Sequence, residues 1–407
     1  MAKKTNNSSG KGMSIFDIVK GCDATAEVLS ESKRAVIPDY INTGWYILNA
    51  AMTGSLFKGV PASRVITLSG ESGVGKSYLA ISICREAQKK GYTPIYMDSE
   101  GAIDTEFVER LGCDPTNFII KQVTTITEVS SFMANILKDV NSMSDDEKPK
   151  IIFVLDSLGN LTSAKELSDT IDANQKRDMT KQQEIKALFR TNATALARAG
   201  APFIVNSHVY KTQDLFAKTI VSGGSGIIYN SSVTLMMSTA KLDDKESDKI
   251  MQKKTGDYVK TGVIVTAKTE KSRFTIPQKV KFQIPFFKAP NPYVGLEAYI
   301  TWENSGILRG ELLTEKEYNK LSENDKNSCY EMTDTEGKTC YARQKDTSKK
   351  IVVKHLGCEV PVAELFTSKV ITDDILRNLD ETVIRPLFEL PSFDSNADID
   401  ELVDIED

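Results

Sequence analysis

Short, continuous runs of apolar residues alternate with longer amphipathic stretches over residues 36–290. The apolar runs, each about as long as one strand, are residues 65–69, 94–98, 151–156, 203–207 and 233–237. The amphipathic stretches between them are residues 77–91, 105–112, 127–140 and 181–200. Strands that are buried on both faces have such runs, and their alternation with helices is typical of parallel sheets. The pattern therefore predicts an α/β core with a mainly parallel central sheet.

The chain has 407 residues, which is more than the roughly 250–300 residues that one hydrophobic core usually serves. Residues 291–390 have short helical patches around a polar middle rich in Lys and Glu, which predicts a smaller, mostly helical C-terminal domain. We expect residues 1–35 to form an arm, because a polar start is followed by the apolar spacing of one short helix at residues 14–22. Residues 391–407 contain several acidic side chains and no basic one, which predicts a solvated tail.

The charge balance excludes a protein that coats nucleic acid through a uniformly basic surface. Lys and Arg total 51 against 56 Asp and Glu, a net charge of -5, so any DNA contact has to be local. The six cysteines form no CxxC pair and only two His residues accompany them, which argues against a structural zinc site. Because the sequence has no signal-peptide or membrane-span pattern, we expect a cytoplasmic protein without a membrane partner.

Residues 70–77 read Gly-Glu-Ser-Gly-Val-Gly-Lys-Ser and fit the phosphate-loop pattern G-x-x-x-x-G-K-[ST]. The loop stands between a predicted strand and a predicted helix, which is the context that the motif requires. Lys76 is expected to reach the β- and γ-phosphates of ATP, and Ser77 to ligate Mg²⁺. The alternative is a glycine-rich turn that binds no nucleotide. The predicted nucleotide-binding residues here are Gly70, Glu71, Ser72, Gly73, Val74, Gly75, Lys76, Ser77 and Tyr78.

Two carboxylates follow other predicted strands. Asp156 ends an apolar run, where a parallel sheet places groups that orient Mg²⁺. Taken alone, Asp156 could equally cap the next turn. Glu100 follows the run at residues 94–98 and could act as the general base for an attacking water. A solvated loop carboxylate is the alternative for Glu100.

Taken together, these residues resemble the RecA recombinase family, and within it the UvsX recombinases of T-even-like phages. The similarity follows the chain in order through residues 41–44, 70–77, 98–104, 155–161, 207–216, 223–226 and 270–273. A phosphate loop alone would indicate only a nucleotide-binding superfamily, whereas this ordered series is specific. The resemblance is weaker in the first 35 residues and in the C-terminal domain.

The resemblance implies roles for four residues around the nucleotide. Glu100 matches the family's water-activating glutamate, and Asp104 and Phe107 match positions that contact the adenine. His208 falls where the family has a Gln or His that senses the γ-phosphate and couples it to DNA binding. Without the resemblance, a hydrogen-bonded core histidine is the simpler interpretation of His208.

The resemblance also implies contacts between subunits. Lys271 and Arg273 match cations that reach the ATP of a neighbouring subunit, although two cations spaced i, i+2 on a strand usually share one solvated face. In the arm, Ile15, Phe16 and Ile18 would pack on an adjacent core or fold back on their own chain.

Two segments match the family's DNA-binding loops, at residues 159–176 and 210–226. Polar, glycine-containing loops of this length are usually functional or disordered, but either could be a plain surface connection. Aromatic residues are scarce in them, so backbone N–H and basic groups are expected to contact DNA. The expected DNA contacts are Asn160, Lys165, Lys176, Arg177, Lys211, Lys218, Gly223, Gly224 and Gly226.

The resemblance implies a DNA-dependent ATPase that uses ATP and Mg²⁺. It would polymerise on single-stranded DNA and exchange strands with double-stranded DNA in recombination, repair and replication. A single-strand-binding protein and a recombination mediator are further expected partners. Two other classes stay open, a hexameric helicase with the same core and a nucleotide-switched regulator that binds no DNA. Strand exchange without unwinding would exclude the helicase, and ATP hydrolysis that DNA does not stimulate would favour the regulator.

Overall fold

The structure is a computed structural model, and it describes residues 14–23, 26, 28–30, 36–171, 180–211, 219–222, 225–240, 251–254, 257–286 and 289–391. The chain divides into two compact units, one up to Pro38 and one from Asp39 onward. None of the helices within the described ranges is long and apolar enough to cross a membrane.

The first unit contains helix α1 (Ile15–Cys22), as the apolar spacing predicts. Ser14 caps this helix, because its hydroxyl accepts the Phe16 N–H while the Asp17 carboxylate accepts the Ser14 N–H. The side chains of Ile15, Phe16 and Ile18 are exposed.

The second unit contains all described strands and the remaining helices. The strands are β1 (Tyr40–Ile41), β2 (Val60–Pro61), β3 (Val65–Gly70), β4 (Thr93–Asp98), β5 (Ile119–Gln122), β6 (Ile151–Asp156), β7 (Phe203–Lys211), β8 (Thr219–Val221), β9 (Val233–Thr239), β10 (Met251–Lys254), β11 (Asp257–Lys260), β12 (Gly262–Ser272), β13 (Lys279–Pro285), β14 (Ile307–Thr314), β15 (Cys329–Thr333), β16 (Thr339–Gln344), β17 (Lys350–Val353) and β18 (Cys358–Pro361). The helices are α2 (Tyr46–Thr53), α3 (Lys76–Gln88), α4 (Thr105–Arg110), α5 (Ile126–Ser142), α6 (Ala164–Ile171), α7 (Thr180–Ala199), α8 (Ser225–Asn230), α9 (Trp302–Ser305), α10 (Glu315–Tyr318), α11 (Glu323–Lys326), α12 (Asp373–Leu379) and α13 (Arg385–Phe388). A π-helical turn, Asp380–Ile384, joins the last two helices.

The central sheet confirms the predicted α/β core. Among the described residues its strand order is β13-β12-β9-β3-β7-β6-β4-β5, with β8 paired to β7. The strands from β9 to β5 are parallel to their neighbours, whereas β8, β12 and β13 pair antiparallel. β3 and β6 are buried along their whole length, because helix α3 packs on one face of the sheet and helices α5 and α7 pack on the other. The carboxyl ends of the parallel strands therefore meet at one edge.

The prediction of a mostly helical C-terminal domain is wrong. Residues 307–361 instead contain a five-stranded antiparallel sheet with the order β15-β16-β14-β17-β18. The Lys- and Glu-rich stretch suggested helices, but its polar side chains alternate with apolar ones that face a small core. In β16, for example, Cys340 and Ala342 are buried on either side of the half-buried Tyr341.

The C-terminal region packs into the same apolar core as the central sheet. Ile307, Val353, Leu376 and Phe388 belong to one buried cluster with residues of β3, β12 and β13. One buried carboxylate, that of Asp380, adds a polar anchor. Asp380 accepts hydrogen bonds from the Leu56 N–H at 2.6 Å, the Ser55 hydroxyl at 3.0 Å and Arg385 Nε at 3.0 Å. This anchor joins the last helices to the end of α2.

Candidate nucleotide-binding site

The phosphate loop leaves the buried strand β3 and leads into α3. Gly73 and Gly75 have φ angles of 76° and 96°, in the left-handed region that favours glycine. A Cβ atom on Gly75 would also overlap with the side chain of Ile284. The loop therefore has the backbone conformation that the motif predicts, and the N-terminus of α3 lies at its end.

Lys76, the first residue of α3, points back into this loop. Its Nζ donates hydrogen bonds to the Gly70 carbonyl at 2.9 Å and the Glu71 carbonyl at 2.8 Å. Burial lowers the pKa of Lys76, and the charges of Asp156 and Glu100 oppose that shift. The structure thus brings the predicted phosphate-binding ammonium together with both predicted carboxylates.

Polar atoms around the loop fit a phosphate group and Mg²⁺. Ser69 Oγ and the side-chain amide of Asn206, next to the loop on β3 and β7, are buried and have no hydrogen-bond partner among the described residues. Buried polar atoms without partners are uncommon in folded proteins and often mark a bound group. Ser77, the second residue of α3, is half-buried beside the loop. Ser77 and Asp156 carry oxygen atoms of the kind that Mg²⁺ prefers as ligands.

Asp156 lies beside Asp98, because β6 and β4 are parallel neighbours in which these two residues pair. Asp156 is 5% exposed, and its Oδ2 accepts a hydrogen bond from the Tyr96 hydroxyl at 2.6 Å. Burial, together with the charge of Asp156, raises the pKa of Tyr96 well above its ordinary value. The sequence pattern did not indicate Tyr96, because its partner is distant in the chain.

Asp98 shapes the turn that carries Glu100. Its carboxylate accepts hydrogen bonds from the backbone N–H groups of Glu100 at 2.8 Å, Gly101 at 2.9 Å and Ile103 at 3.3 Å. Asp98 was missed as a site residue, although an Asp at a strand end before a Gly-containing turn is the local signal for such a cap.

The Glu100 carboxylate is held by two side chains. Glu100 Oε1 accepts a hydrogen bond from the Ser157 hydroxyl at 2.8 Å and lies 3.1 Å from His208 Nε2. Burial alone would raise the pKa of Glu100, but the hydrogen bonds from Ser157 and His208 and the charge of Lys76 lower it below its ordinary value. Glu100 is therefore ionised and oriented, which argues against a freely solvated loop carboxylate.

His208 is a partly exposed residue, with 31% of its side chain accessible, and does not belong to the core. Its ring lies against Gly159, where a Cβ atom would be 3.1 Å from His208 Cδ2. Its carbonyl accepts the Ser222 N–H at 2.7 Å. His208 thus contacts Glu100 and a residue from each segment that was predicted to bind DNA.

The two predicted adenine contacts lie at the start of α4. Asp104 caps this helix, and its carboxylate accepts the Phe107 N–H at 2.7 Å. The Phe107 ring is half-buried against the core, and the Arg110 guanidinium lies 5.4 Å from its centre. Their binding of adenine stays a prediction.

The described parts of the segments predicted to bind DNA contain regular structure. The first includes α6, with Asn160 and Lys165 exposed, and the second starts as a hairpin of β7, which ends at Lys211, and β8. Gly226 is buried within α8 against the Lys186 side chain, and its contact with DNA stays a prediction. Several predicted contacts lie outside the described residues, namely Lys176, Arg177, Lys218, Gly223 and Gly224.

Lys271 and Arg273 differ in their surroundings. Lys271 Nζ donates hydrogen bonds to the carbonyls of Ile228 and Tyr229, both at 2.8 Å, at the end of α8. The Arg273 side chain is exposed and makes no hydrogen bond or ion pair with a described residue. Lys271 therefore has a contact within its own chain, while the Arg273 guanidinium is available to a second molecule.

Comparison with known proteins supports the family resemblance. The chain is 28% identical to the "Recombination and repair protein" of Enterobacteria phage T4 over 276 residues, 67% of this chain and 66% of that protein. It is 27% identical to "Protein RecA, plasmid" of Lactococcus lactis subsp. lactis over 234 residues, 56% of this chain and 61% of that protein. It is 26% identical to "Protein RecA" of Bartonella bacilliformis over 226 residues, 54% of this chain and 60% of that protein.

The matched parts span less than two thirds of these relatives' own lengths, between 60% and 66%. The family model of the RecA N-terminal domain matches residues 15–284, a range that contains the phosphate loop, Glu100, Asp156 and His208. The ordered series of motifs lies entirely within this match, which confirms the resemblance. The chain therefore belongs to the RecA family.

Proposed function

We propose that this chain is a DNA-dependent ATPase that forms filaments on single-stranded DNA and catalyses homologous pairing and strand exchange with double-stranded DNA. Membership of the RecA family and similarity to the recombination and repair protein of phage T4 support this class. The observation that carries the proposal is the Glu100 carboxylate, which Ser157 and His208 orient next to the charge of Lys76. This arrangement suits ATP hydrolysis linked to a second site.

The proposed chemistry depends on two opposite charges at the sheet edge. Lys76 would leave its carbonyl partners, Gly70 and Glu71, and bind the β- and γ-phosphates of ATP. Bound Mg²⁺, held through Ser77 and Asp156, would neutralise phosphate charge. Glu100 would accept a proton from the attacking water, and Ser157 and His208 would hold its carboxylate in position for that purpose.

His208 would couple hydrolysis to DNA. Its ring contacts Glu100 at the nucleotide site, and its carbonyl accepts the Ser222 N–H from the segment that is expected to bind DNA. His208 therefore links these two sites. A change at the γ-phosphate that moved Glu100 would therefore move the end of the 210–226 segment as well. Coupling of this kind is reciprocal, so DNA binding would alter the nucleotide site in turn.

Arg273 would act on the ATP of a neighbouring subunit, with Lys271 holding the end of α8 beside it. Double alanine replacement should leave nucleotide binding measurable and abolish DNA-stimulated hydrolysis. Mixing this variant with Lys76→Ala should restore part of the activity, since some interfaces would combine two intact halves. No recovery at any ratio, with mixed filaments confirmed, would contradict action across the interface.

The experiment that tests the function is ATP hydrolysis with and without single-stranded DNA, followed by negative-stain imaging of the same mixture. We expect DNA to stimulate hydrolysis and helical filaments to form, which a single-strand-binding protein and a mediator would then regulate. Hydrolysis that DNA does not stimulate would favour a nucleotide-switched regulator. Closed rings that unwind duplexes without strand exchange would favour a helicase.

A further inference from the structure

A buried tyrosine holds one oxygen of the carboxylate that is proposed to orient Mg²⁺. The Tyr96 hydroxyl donates to Asp156 Oδ2 at 2.6 Å, and none of the Tyr96 side chain is exposed. A hydrogen bond of this length to an ionised acceptor is among the stronger ones in proteins. Since the Tyr96 side chain is fully buried, water does not compete for its hydroxyl.

The central sheet accounts for this contact. Tyr96 on β4 pairs with Val154 on β6, two residues before Asp156, so the tyrosine and the carboxylate leave the sheet on the same face. Phe118 stacks on the Tyr96 ring, with centroids 5.8 Å apart and ring planes inclined by 30°. This stacking holds the Tyr96 ring in place. The hydroxyl on the ring in turn restricts the rotation of the Asp156 carboxylate.

The other carboxylate oxygen, Asp156 Oδ1, makes no hydrogen bond with a described residue. One oxygen is thus engaged by the protein, and the other is available to the site that contains Lys76 and Ser77. A carboxylate free to rotate could turn either oxygen toward the metal or away from it. Groups that orient a metal-binding residue in this way typically change metal affinity when they are removed.

We propose that Tyr96 is a positioning residue for Mg²⁺, which fixes Asp156 so that Oδ1 faces the metal. This inference rests on the proposed nucleotide-dependent function. It assigns Tyr96 no direct contact with nucleotide or metal, and it predicts an effect on the Mg²⁺ requirement rather than on nucleotide binding in general.

Tyr96→Phe tests this role, with Tyr92→Phe as the matched control. Tyr92 is also buried, at 3% exposure, and its hydroxyl donates to Asp39 at 3.2 Å before the start of β4. The two variants lose the same atom from similar surroundings, but only Tyr96 contacts Asp156. The measurement is binding of a fluorescent ADP to the full chain while Mg²⁺ is varied, with a second series in EDTA.

We expect Tyr96→Phe to raise the Mg²⁺ concentration for half-maximal nucleotide binding by about tenfold. Binding in EDTA should match the parent, and Tyr92→Phe should match the parent in both series. Mn²⁺ binding to the protein–ADP complex, followed by electron paramagnetic resonance, should weaken in the same ratio and gives a readout that is independent of catalysis.

An unchanged Mg²⁺ requirement in folded Tyr96→Phe would overturn the inference, and so would equal weakening with and without Mg²⁺. If Tyr96→Phe does not fold, Phe118→Leu provides the test, because it loosens the ring but retains the hydroxyl. It should raise the Mg²⁺ requirement by a smaller factor, and no rise would overturn the inference. A parent chain whose ADP binding ignores Mg²⁺ would instead contradict the proposed function.

Discussion

The edge of the central sheet and the antiparallel C-terminal sheet both carry polar and charged side chains, but these make buried contacts at the first and exposed contacts on the second. At the central edge, polar groups from different strands meet in buried contacts such as Tyr96–Asp156. In the C-terminal sheet, charged groups pair on the surface, as Lys345 does with Glu311, with about half of the lysine side chain exposed. The comparison teaches that burial, more than residue type, decides which charges have a large effect.

Lys76→Ala gives the largest expected contrast. Removal of the ammonium leaves the β- and γ-phosphate charge uncompensated, so ATP turnover should fall by at least about 100-fold. Lys345→Ala is the control, because it removes an exposed ammonium that pairs with Glu311. Steady-state ATP hydrolysis with single-stranded DNA measures both. Equal turnover in folded Lys76→Ala and the parent would exclude this loop as the catalytic site.

Glu100→Gln should separate nucleotide binding from hydrolysis. The amide retains the size of the side chain but cannot accept a proton from water, so hydrolysis should fall by about 100-fold. Filaments should persist with ATP. The matched control is Glu311→Gln, on a carboxylate of the C-terminal sheet, which should hydrolyse ATP like the parent. A Glu100→Gln variant as fast as the parent would show that another group is the base.

Asp380→Ala and Asp325→Ala compare a buried anchor with a surface ion pair. It leaves the buried Leu56 N–H and Ser55 hydroxyl without their acceptor, and it should lower the free energy of unfolding by about 3 kcal/mol. Asp325→Ala breaks the more exposed pair with Arg343 and should cost less than about 1 kcal/mol. Urea unfolding measures both changes. Similar losses would contradict the distinction between buried and exposed charges.

Ser157→Ala should have the smallest effect, a shift in pH dependence. The Ser157 hydroxyl stabilises the ionised form of Glu100, so its removal should raise the lowered pKa of Glu100 toward its ordinary value. Because the base is active when ionised, the acid limb of kcat/KM should move to higher pH, by less than about one unit.

The control for this shift is Ser322→Ala, whose hydroxyl donates to Asp325 at 2.7 Å in the C-terminal region. Its pH profile should match that of the parent. A shift of the Ser157→Ala profile to lower pH would refute the assigned sign.

The strands and helices of the core were predictable because their signals are local. The runs at residues 151–156 and 233–237 match β6 and the start of β9, and the phosphate loop lies between β3 and α3 as its motif requires. The C-terminal sheet was missed because its strands are short and half-exposed. Their polar faces, and the Lys- and Glu-containing segments that connect them, match a solvated helix as well as a strand until a partner strand exists.

The candidate site residues also differ in whether their signal in the sequence is local. Lys76, Glu100 and Asp156 could be proposed as site residues because motif, strand end and family order each mark a position in the sequence. Sequence alone left the neighbours of Glu100 open, and it supplied no signal for Tyr96.

The phosphate loop after a buried strand and the two carboxylates at strand ends follow from the sequence alone, because hydrophobic period and turn chemistry act over a few neighbouring residues. The contacts of Tyr96 with Asp156, and of Ser157 and His208 with Glu100, depend instead on how the strands assemble. These partners are 57 to 108 residues apart and meet only through the parallel pairing of β4, β6 and β7, and strand order in a sheet depends on which buried faces pack together.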